Sequence, residues 1–277
     1  MKNNSITSYQ FFSTMFLSTL AYMLFIDNTA TVFQLLYILL AIGINILFIS
    51  FYRGKRNLIT NIIIYLYFTV ISALSVAKLS QYMHVVLKSG PYWAIILLIL
   101  ISAYFCSYKG LEPLARASQI IVFFVFIFLL YIFISPFSTV KMDFSRINTH
   151  LYTNFLPILI LLLPSFSYVA LNDNIIDCKK SLLFIYSVIE FAVLGLSVFF
   201  SSFLNAYYPM DVITKNVKYG IFKGGDCLYL TIITISVLYI ISTGCQSATV
   251  NHRKYKLKNA VFIGITGVAT AFVLLFM

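Results

Sequence analysis

Residues that could carry out catalysis or bind a metal are sparse and scattered in this sequence. It contains no C-x-x-C pair and no G-x-S-x-G, H-E-x-x-H or P-loop motif, the spacings that metal binding, acyl transfer, zinc-dependent hydrolysis and phosphate binding require. We therefore predict no cofactor, no metal site, no structural disulfide and no enzymatic activity. The dispersed cysteines and histidines are Cys106, Cys178, Cys227, Cys245, His84, His150 and His252.

One carboxylic acid stands out, because Glu190 lies near the middle of a strongly apolar segment. A charged side chain at the centre of a bilayer costs about 2.5–3.5 kcal/mol on insertion scales. We therefore expect Glu190 to face the interior of a helix bundle. Its role there is either proton coupling or ligand binding, or a structural hydrogen bond between helices.

Two further segments depart from a plain membrane helix. Ser18-Thr19 lies in the middle of the first apolar segment, and Pro164-Ser165-Phe166-Ser167 interrupts the sixth. Proline removes an amide donor and clashes with the preceding turn, so carbonyls at 160–163 are expected to be free to bind another group. The alternative is that Pro164 only kinks its helix and that Ser18 and Thr19 bond carbonyls of their own helix.

The elements that would position these residues are nine apolar stretches that fill nearly the whole chain. A helix needs about 20 mainly apolar residues to cross a bilayer, and 61% of the residues are hydrophobic against 10% charged, with a mean hydropathy of +0.95. Continuous apolar runs exclude a β-barrel. The predicted spans are 8–26, 30–52, 58–87, 91–108, 117–135, 151–170, 181–203, 226–248 and 259–277.

The sequence thus predicts an all-α polytopic membrane protein with a single transmembrane domain over residues 1–277. Interrupted helices five spans apart are typical of transporters built from two inverted repeats. The repeats would occupy about 8–135 and 151–277.

The net charge of +11 is distributed as expected for a membrane protein rather than a nucleic-acid-binding one. If the N-terminus is cytoplasmic, twelve of the 19 lysine and arginine residues lie in inner loops and six in outer loops. This bias obeys the positive-inside rule. It places Cys178 in a cytoplasmic loop and Cys227 near the outer surface, and the basic loops would contact anionic lipid.

The inner loop between the fourth and fifth spans has the most distinctive local sequence. Glu112 and Arg116 are four residues apart and are expected to form an ion pair on a short helix that joins the two spans. Gly110 would allow the turn before that helix.

Together with Ala115, these residues form a G-x-E-x-x-A-R pattern that resembles the spore-germination permease family. This family is the membrane-embedded B subunit of nutrient germinant receptors, within the amino acid/polyamine/organocation superfamily. Pro91-Tyr92-Trp93 resembles the family's P-x-W start of the preceding helix, and Asp226 resembles the acidic residue that opens helix eight. The resemblance covers most of the chain and is specific over 91–130.

The resemblance implies a LeuT-type inverted-repeat bundle in the inner membrane of a spore-forming bacterium. The chain would be a divergent member that lacks the last helix, with Ser18-Thr19 where the family usually has Gly-Thr. Its ligand would be a small nutrient such as an amino acid, and its partners membrane lipid and other germinant-receptor subunits. The expected ligand-binding residues are Ser18, Thr19, Pro164, Ser165, Phe166 and Glu190.

Two other functions remain open at this point. The protein could be a stand-alone secondary transporter of amino acids, or a non-transporting scaffold that only assembles a receptor complex.

Overall fold

The structure is a computed structural model that describes residues 5–26, 31–52, 54, 57–87, 91–134, 157–176, 179–202, 226–249 and 255–276. Helices make up almost all of these residues. They are α1 (Ser8–Thr19), α2 (Thr31–Phe51), α3 (Leu58–Leu87), α4 (Tyr92–Tyr108), α5 (Leu111–Ile134), α6 (Ile158–Leu161), α7 (Leu163–Leu171), α8 (Lys180–Ser201), α9 (Asp226–Thr249) and α10 (Tyr255–Phe276). Two 3₁₀ segments, Leu20–Phe25 and Asn172–Asn174, follow α1 and α7 directly.

Six of the described helices are long and apolar enough to cross a membrane, namely α2, α3, α5, α8, α9 and α10. A seventh, α4, is apolar and shorter, with 17 residues. The first and sixth predicted spans are each divided, into α1 with its 3₁₀ segment and into α6 with α7. The prediction of an all-α polytopic membrane protein is confirmed, whereas nine crossings and a LeuT-type fold stay predictions.

The start of α5 corrects one expectation. The fifth span was predicted at 117–135 behind a separate short helix, but α5 runs without a break from Leu111. Gly110 turns the chain with a φ of 101°, so that the two helices follow each other closely. Pro113 does not end the helix, because the amides of the first helical turn have no carbonyl partner to lose.

The bundle has central and peripheral helices. Of an 18-residue apolar stretch in each helix, 67% is buried in α3 and 61% in α9, against 28% in both α5 and α10. The central helices pack against each other, and α9 also contacts α1, α4 and α10. The peripheral helices expose continuous rows of large apolar side chains, as expected for surfaces that face hydrocarbon.

The two interrupted helices lie beside each other and run in opposite directions. The helix α1 contacts α7, and the 3₁₀ segment after α1 contacts α6. At one end they are joined by two short parallel strands, β1 (Ile6–Thr7) and β2 (Ile175–Ile176), with Ile6 opposite Ile175. A capping box starts α1 at this end, because Thr7 and Gln10 each accept a hydrogen bond from the other's amide.

Candidate functional site

The first helix break begins at Thr19, where α1 ends and the 3₁₀ segment begins. The Ser18 hydroxyl donates to the Thr14 carbonyl at 2.9 Å, and the Thr19 hydroxyl donates to the Phe16 carbonyl at 3.1 Å. Both predicted binding residues are fully buried. Their bonds within α1 agree with the alternative stated from the sequence, that they satisfy carbonyls of their own helix.

Glu190 of α8 lies in the interior next to this break and is only 1% exposed, so the prediction that it faces the bundle is confirmed. The Thr19 and Tyr186 hydroxyls lie near its carboxyl group without the geometry of a hydrogen bond to it, and their two oxygens lie 3.4 Å apart. Neither carboxyl oxygen of Glu190 makes a hydrogen bond to a described residue. The arrangement therefore leaves a buried acid with unused bonding capacity beside two hydroxyls.

At the second break, side chains from other helices bind two carbonyls that precede Pro164. The Asn45 amide donates to the Leu161 carbonyl at 2.7 Å, and the Tyr67 hydroxyl donates to the Leu159 carbonyl at 2.6 Å. The Leu161 carbonyl lies within the predicted range 160–163, and the group that binds it is a side chain of the protein itself. In an interior without water, α2 and α3 must supply the donors that the helix has lost.

The predicted binding residues after this break are held by the same two side chains. The Ser165 hydroxyl donates to the Asn45 side-chain carbonyl, and the Phe166 ring stacks on Tyr67 with centroids 3.7 Å apart. Pro164 is the second residue of α7, a position where a missing amide costs little. Both Pro164 and Ser165 are buried.

The structure thus divides the predicted site into two clusters. One joins Thr19 with Glu190 through their contacts with Tyr186, and the other joins Ser165 and Phe166 with α2 and α3. The sequence pattern did not single out Asn45, Tyr67 or Tyr186. The available signal was a polar side chain inside an apolar segment, the criterion that singled out Glu190, because Asn45 stands between two isoleucines.

A cleft of about 290 Å³ lies next to the first cluster, between α1, α5 and α8. Tyr186 lines this cleft and also reaches Thr19, and its ring stacks on Phe12 with centroids 5.5 Å apart. The remaining lining is mostly aromatic and aliphatic, with Ser13 and Gln119 as its polar side chains on α1 and α5. Mostly apolar clefts with a few polar groups are typical of small-molecule sites.

The connection between α4 and α5 carries the distinctive loop residues. Arg116 donates to Glu112, which confirms the predicted pair, although the pair lies on α5 itself. The Ser107 carbonyl, three residues before Gly110, accepts from Gln246 of α9 at 2.7 Å and from Asn259 of α10 at 3.4 Å. This connection is therefore tied to two other helices.

Asp226 is the first residue of α9, where an acidic residue was predicted to open the eighth span, and nothing is described of its side chain. Within the described ranges, no group of three histidine, cysteine, aspartate or glutamate side chains could hold a metal ion.

A comparison with protein families agrees with the loop sequence. The family model described as spore germination protein matches residues 57–147, a stretch of 91 of the 277 residues. This match confirms the resemblance, and it includes Gly110, Glu112 and Arg116 together with α3, α4 and α5. Both helix breaks and Glu190 lie outside the matched range. No curated protein matches the sequence.

Proposed function

We propose that this chain, which resembles spore germination proteins over residues 57–147, is a membrane subunit that senses or transports a small nutrient such as an amino acid. It would act in the inner membrane of a spore-forming bacterium, with a cytoplasmic N-terminus and with other germinant-receptor subunits as partners. The observation that carries the proposal beyond the family match is the contact between two interrupted helices beside the buried Glu190.

The chemistry of the first cluster suits a cationic group of the ligand. Glu190 supplies unused acceptors, and the carbonyls at the end of α1, near Ser18 and Thr19, carry the partial negative charge of a helix C-terminus. An ammonium group has three donors and no acceptor, so it matches both the Glu190 carboxyl group and these carbonyls.

The second cluster suits the opposite end of an amino acid. The Ser165 and Phe166 amides at the start of α7 already donate to the Leu162 carbonyl, so the Ser165 hydroxyl is the donor that would meet a carboxylate. A ligand that bonds Ser165 would displace Asn45 from it. Binding would in this way favour a second arrangement of α6 and α7, which partner subunits could detect.

The test compares three substitutions in a sporulating host that lacks the native gene. Thr19→Leu and Ser165→Leu fill the proposed site. Glu190→Gln keeps the size of the side chain and its capacity for hydrogen bonds while removing the ionisable proton. Each should abolish or strongly reduce the germination response across a nutrient panel. The matched control is Val188→Leu on α8, whose side chain is 52% exposed on the bundle surface.

Expression and membrane insertion are measured for all four variants, because a lost response is informative only if the variant is folded. Normal responses in the three well-expressed site variants would contradict the proposed site. Accumulation of labelled amino acid by the purified protein alone in proteoliposomes would instead identify a stand-alone secondary transporter.

A scaffold function is the second candidate, and a specific observation favours it. The Leu159 and Leu161 carbonyls and the Ser165 hydroxyl are all bonded to protein side chains, so the second break is closed without a ligand. A scaffold would keep receptor assembly and the nutrient response when the site is filled. Co-purification of partner subunits with Ser165→Leu separates assembly from sensing.

A further inference from the structure

The cleft between α1, α5 and α8 opens sideways onto the membrane face of the bundle. Two of its lining residues, Phe123 of α5 and Ile185 of α8, are 65% and 53% exposed. Exposed apolar side chains on such a helix face hydrocarbon, so a molecule that enters between them comes from the bilayer. The apolar lining suits an acyl chain.

One end of the cleft meets the basic end of the bundle. The Lys179 backbone amide, just before α8, donates to the Ser8 hydroxyl at 3.2 Å, which places the Lys179 backbone beside the residue that precedes the lining residue Tyr9. On α5, Arg116 precedes the lining residue Gln119 by three residues and therefore lies on the same side of the helix. The Gln10 side-chain amide donates to the Gln119 side-chain carbonyl at 3.4 Å, so α1 and α5 approach each other there.

The charges at this end are mainly positive. The described side chains include four basic groups against two acidic ones, and Lys179 is exposed and forms no ion pair with a described residue. The helices α1, α5 and α8 all begin on this side of the cleft, which adds the partial positive charge of their N-termini. The basic residues are Lys109, Arg116, Lys179 and Lys258, and the acidic ones are Glu112 and Asp173.

We propose that this cleft is a binding site for an anionic phospholipid of the cytoplasmic leaflet, with the headgroup at Lys179 and Arg116 and one acyl chain along Phe12, Phe123 and Tyr186. Basic pockets between membrane helices bind anionic headgroups in this way. The acyl chain would contact Tyr186, whose hydroxyl lies beside Thr19 at the first helix break.

The test uses tryptophan quenching in lipid vesicles. Trp93, the single tryptophan, is replaced by Phe, and the reporter Phe123→Trp is introduced at the cleft. The protein is reconstituted in phosphatidylcholine that contains equal mole fractions of either dibrominated phosphatidylglycerol or dibrominated phosphatidylcholine. Bromine on the acyl chains quenches only a tryptophan that it contacts, so the ratio of the two signals measures the preference for the anionic lipid.

We expect the anionic lipid to quench the Phe123→Trp reporter more strongly than the zwitterionic lipid does. The control reporter is Phe105→Trp, which is exposed on α4 outside the cleft and four residues from the basic Lys109. General attraction of anionic lipid to basic loops would affect both reporters equally, whereas a specific site affects only the first. Equal ratios at the two positions would overturn the proposal.

Charge and shape are then tested separately. Lys179→Gln should reduce the preference at the cleft about fivefold, since one basic residue near the membrane surface is worth about 1 kcal/mol. Lys109→Gln, the matched charge removal outside the cleft, should leave it unchanged. Ser13→Phe should exclude the acyl chain and abolish the preference. A preference that survives both Lys179→Gln and Ser13→Phe in folded protein would refute the site.

Discussion

The hydroxyl oxygens of Thr19 and Tyr186 lie 3.4 Å apart in the interior of the bundle. Thr19 is the last α-helical residue before a 3₁₀ segment, and Tyr186 stands four residues before Glu190 on α8. This pair links the first helix break to the buried acid, and Tyr186 extends the link to the lateral cleft. A conformational change at the helix break, at Glu190 or in the cleft can therefore affect the other two through the Tyr186 side chain.

The first prediction concerns the stability of the Glu190→Gln variant. Glu190 makes no hydrogen bond to a described residue, so a neutral amide of the same shape should change the free energy of unfolding by less than about 1 kcal/mol. Thermal unfolding of the purified protein in detergent measures this. A loss of about 3 kcal/mol would instead indicate a buried ion pair or a strong hydrogen bond that the carboxylate provides.

The second prediction concerns the bonds that hold the second break. Asn45→Leu removes the donor to the Leu161 carbonyl and the acceptor of Ser165, and should lower the unfolding free energy by about 1–3 kcal/mol because buried polar groups lose their partners. The conservative control is Ile44→Leu, an exposed neighbour on α2.

A double-mutant cycle tests whether Asn45 and Ser165 act together. Asn45→Leu already breaks the hydrogen bond between the two side chains, so Ser165→Ala has no such bond left to remove. The double variant should therefore lose less stability than the sum of the two single changes. Additive losses would show that the two side chains are not coupled.

The sequence predicted the helices well where the apolar pattern is continuous. The third span was expected at 58–87, and α3 is Leu58–Leu87, because uninterrupted hydrophobicity bounded by polar residues defines a membrane helix. The start of α5 was missed because the charged residues Glu112 and Arg116 interrupt the apolar pattern. They were therefore assigned to a separate short helix, although they pair on the first turns of α5 itself.

The partners at the helix breaks could not be predicted in the same way. Pro164 indicated that carbonyls would be freed, but the amide that binds the Leu161 carbonyl comes from Asn45, 116 residues earlier in the chain. Such a pairing depends on which helices pack together and is absent from any local pattern. Glu190 was found from its cost in hydrocarbon, whereas Tyr186 resembled the many other tyrosines of the chain.

The third prediction concerns the turn between α4 and α5. Gly110 has a φ of 101°, where a side chain is strained, so Gly110→Ala should destabilise the protein by about 1–2 kcal/mol. Gly110→Asn should be tolerated better, because asparagine adopts positive φ more readily. The control is Gly43→Ala, at a helical position with no neighbouring atom within 4 Å of the added methyl group, which should be neutral or stabilising. Equal changes in unfolding free energy for Gly110→Ala and Gly43→Ala would contradict the prediction.

The fourth prediction concerns Glu112 and Arg116. The Arg116 side chain is 69% exposed, so the pair should contribute no more than about 0.2–1 kcal/mol. Either charge reversal should reduce the amount of folded protein slightly, and the swap Glu112→Arg with Arg116→Glu should recover part of it. The coupling energy is obtained from the unfolding free energies of the unchanged protein, the two single reversals and the double swap. A value of zero would show that the pair is formed without stabilising α5.

The last prediction concerns orientation in the membrane. If the N-terminus is cytoplasmic, Cys227, exposed in the first turn of α9, lies at the outer surface. Cys178 lies outside the described residues, and the charge distribution places it in a cytoplasmic loop. A membrane-impermeant thiol reagent added to intact cells should therefore label Cys227 and spare Cys178, while both should react after the membrane is opened. Variants with only one of these two cysteines identify the labelled position, and a variant without either serves as the blank. Labelling of Cys178 alone in intact cells would reverse the predicted topology, and with it the assignment of the basic end of the bundle to the cytoplasmic leaflet.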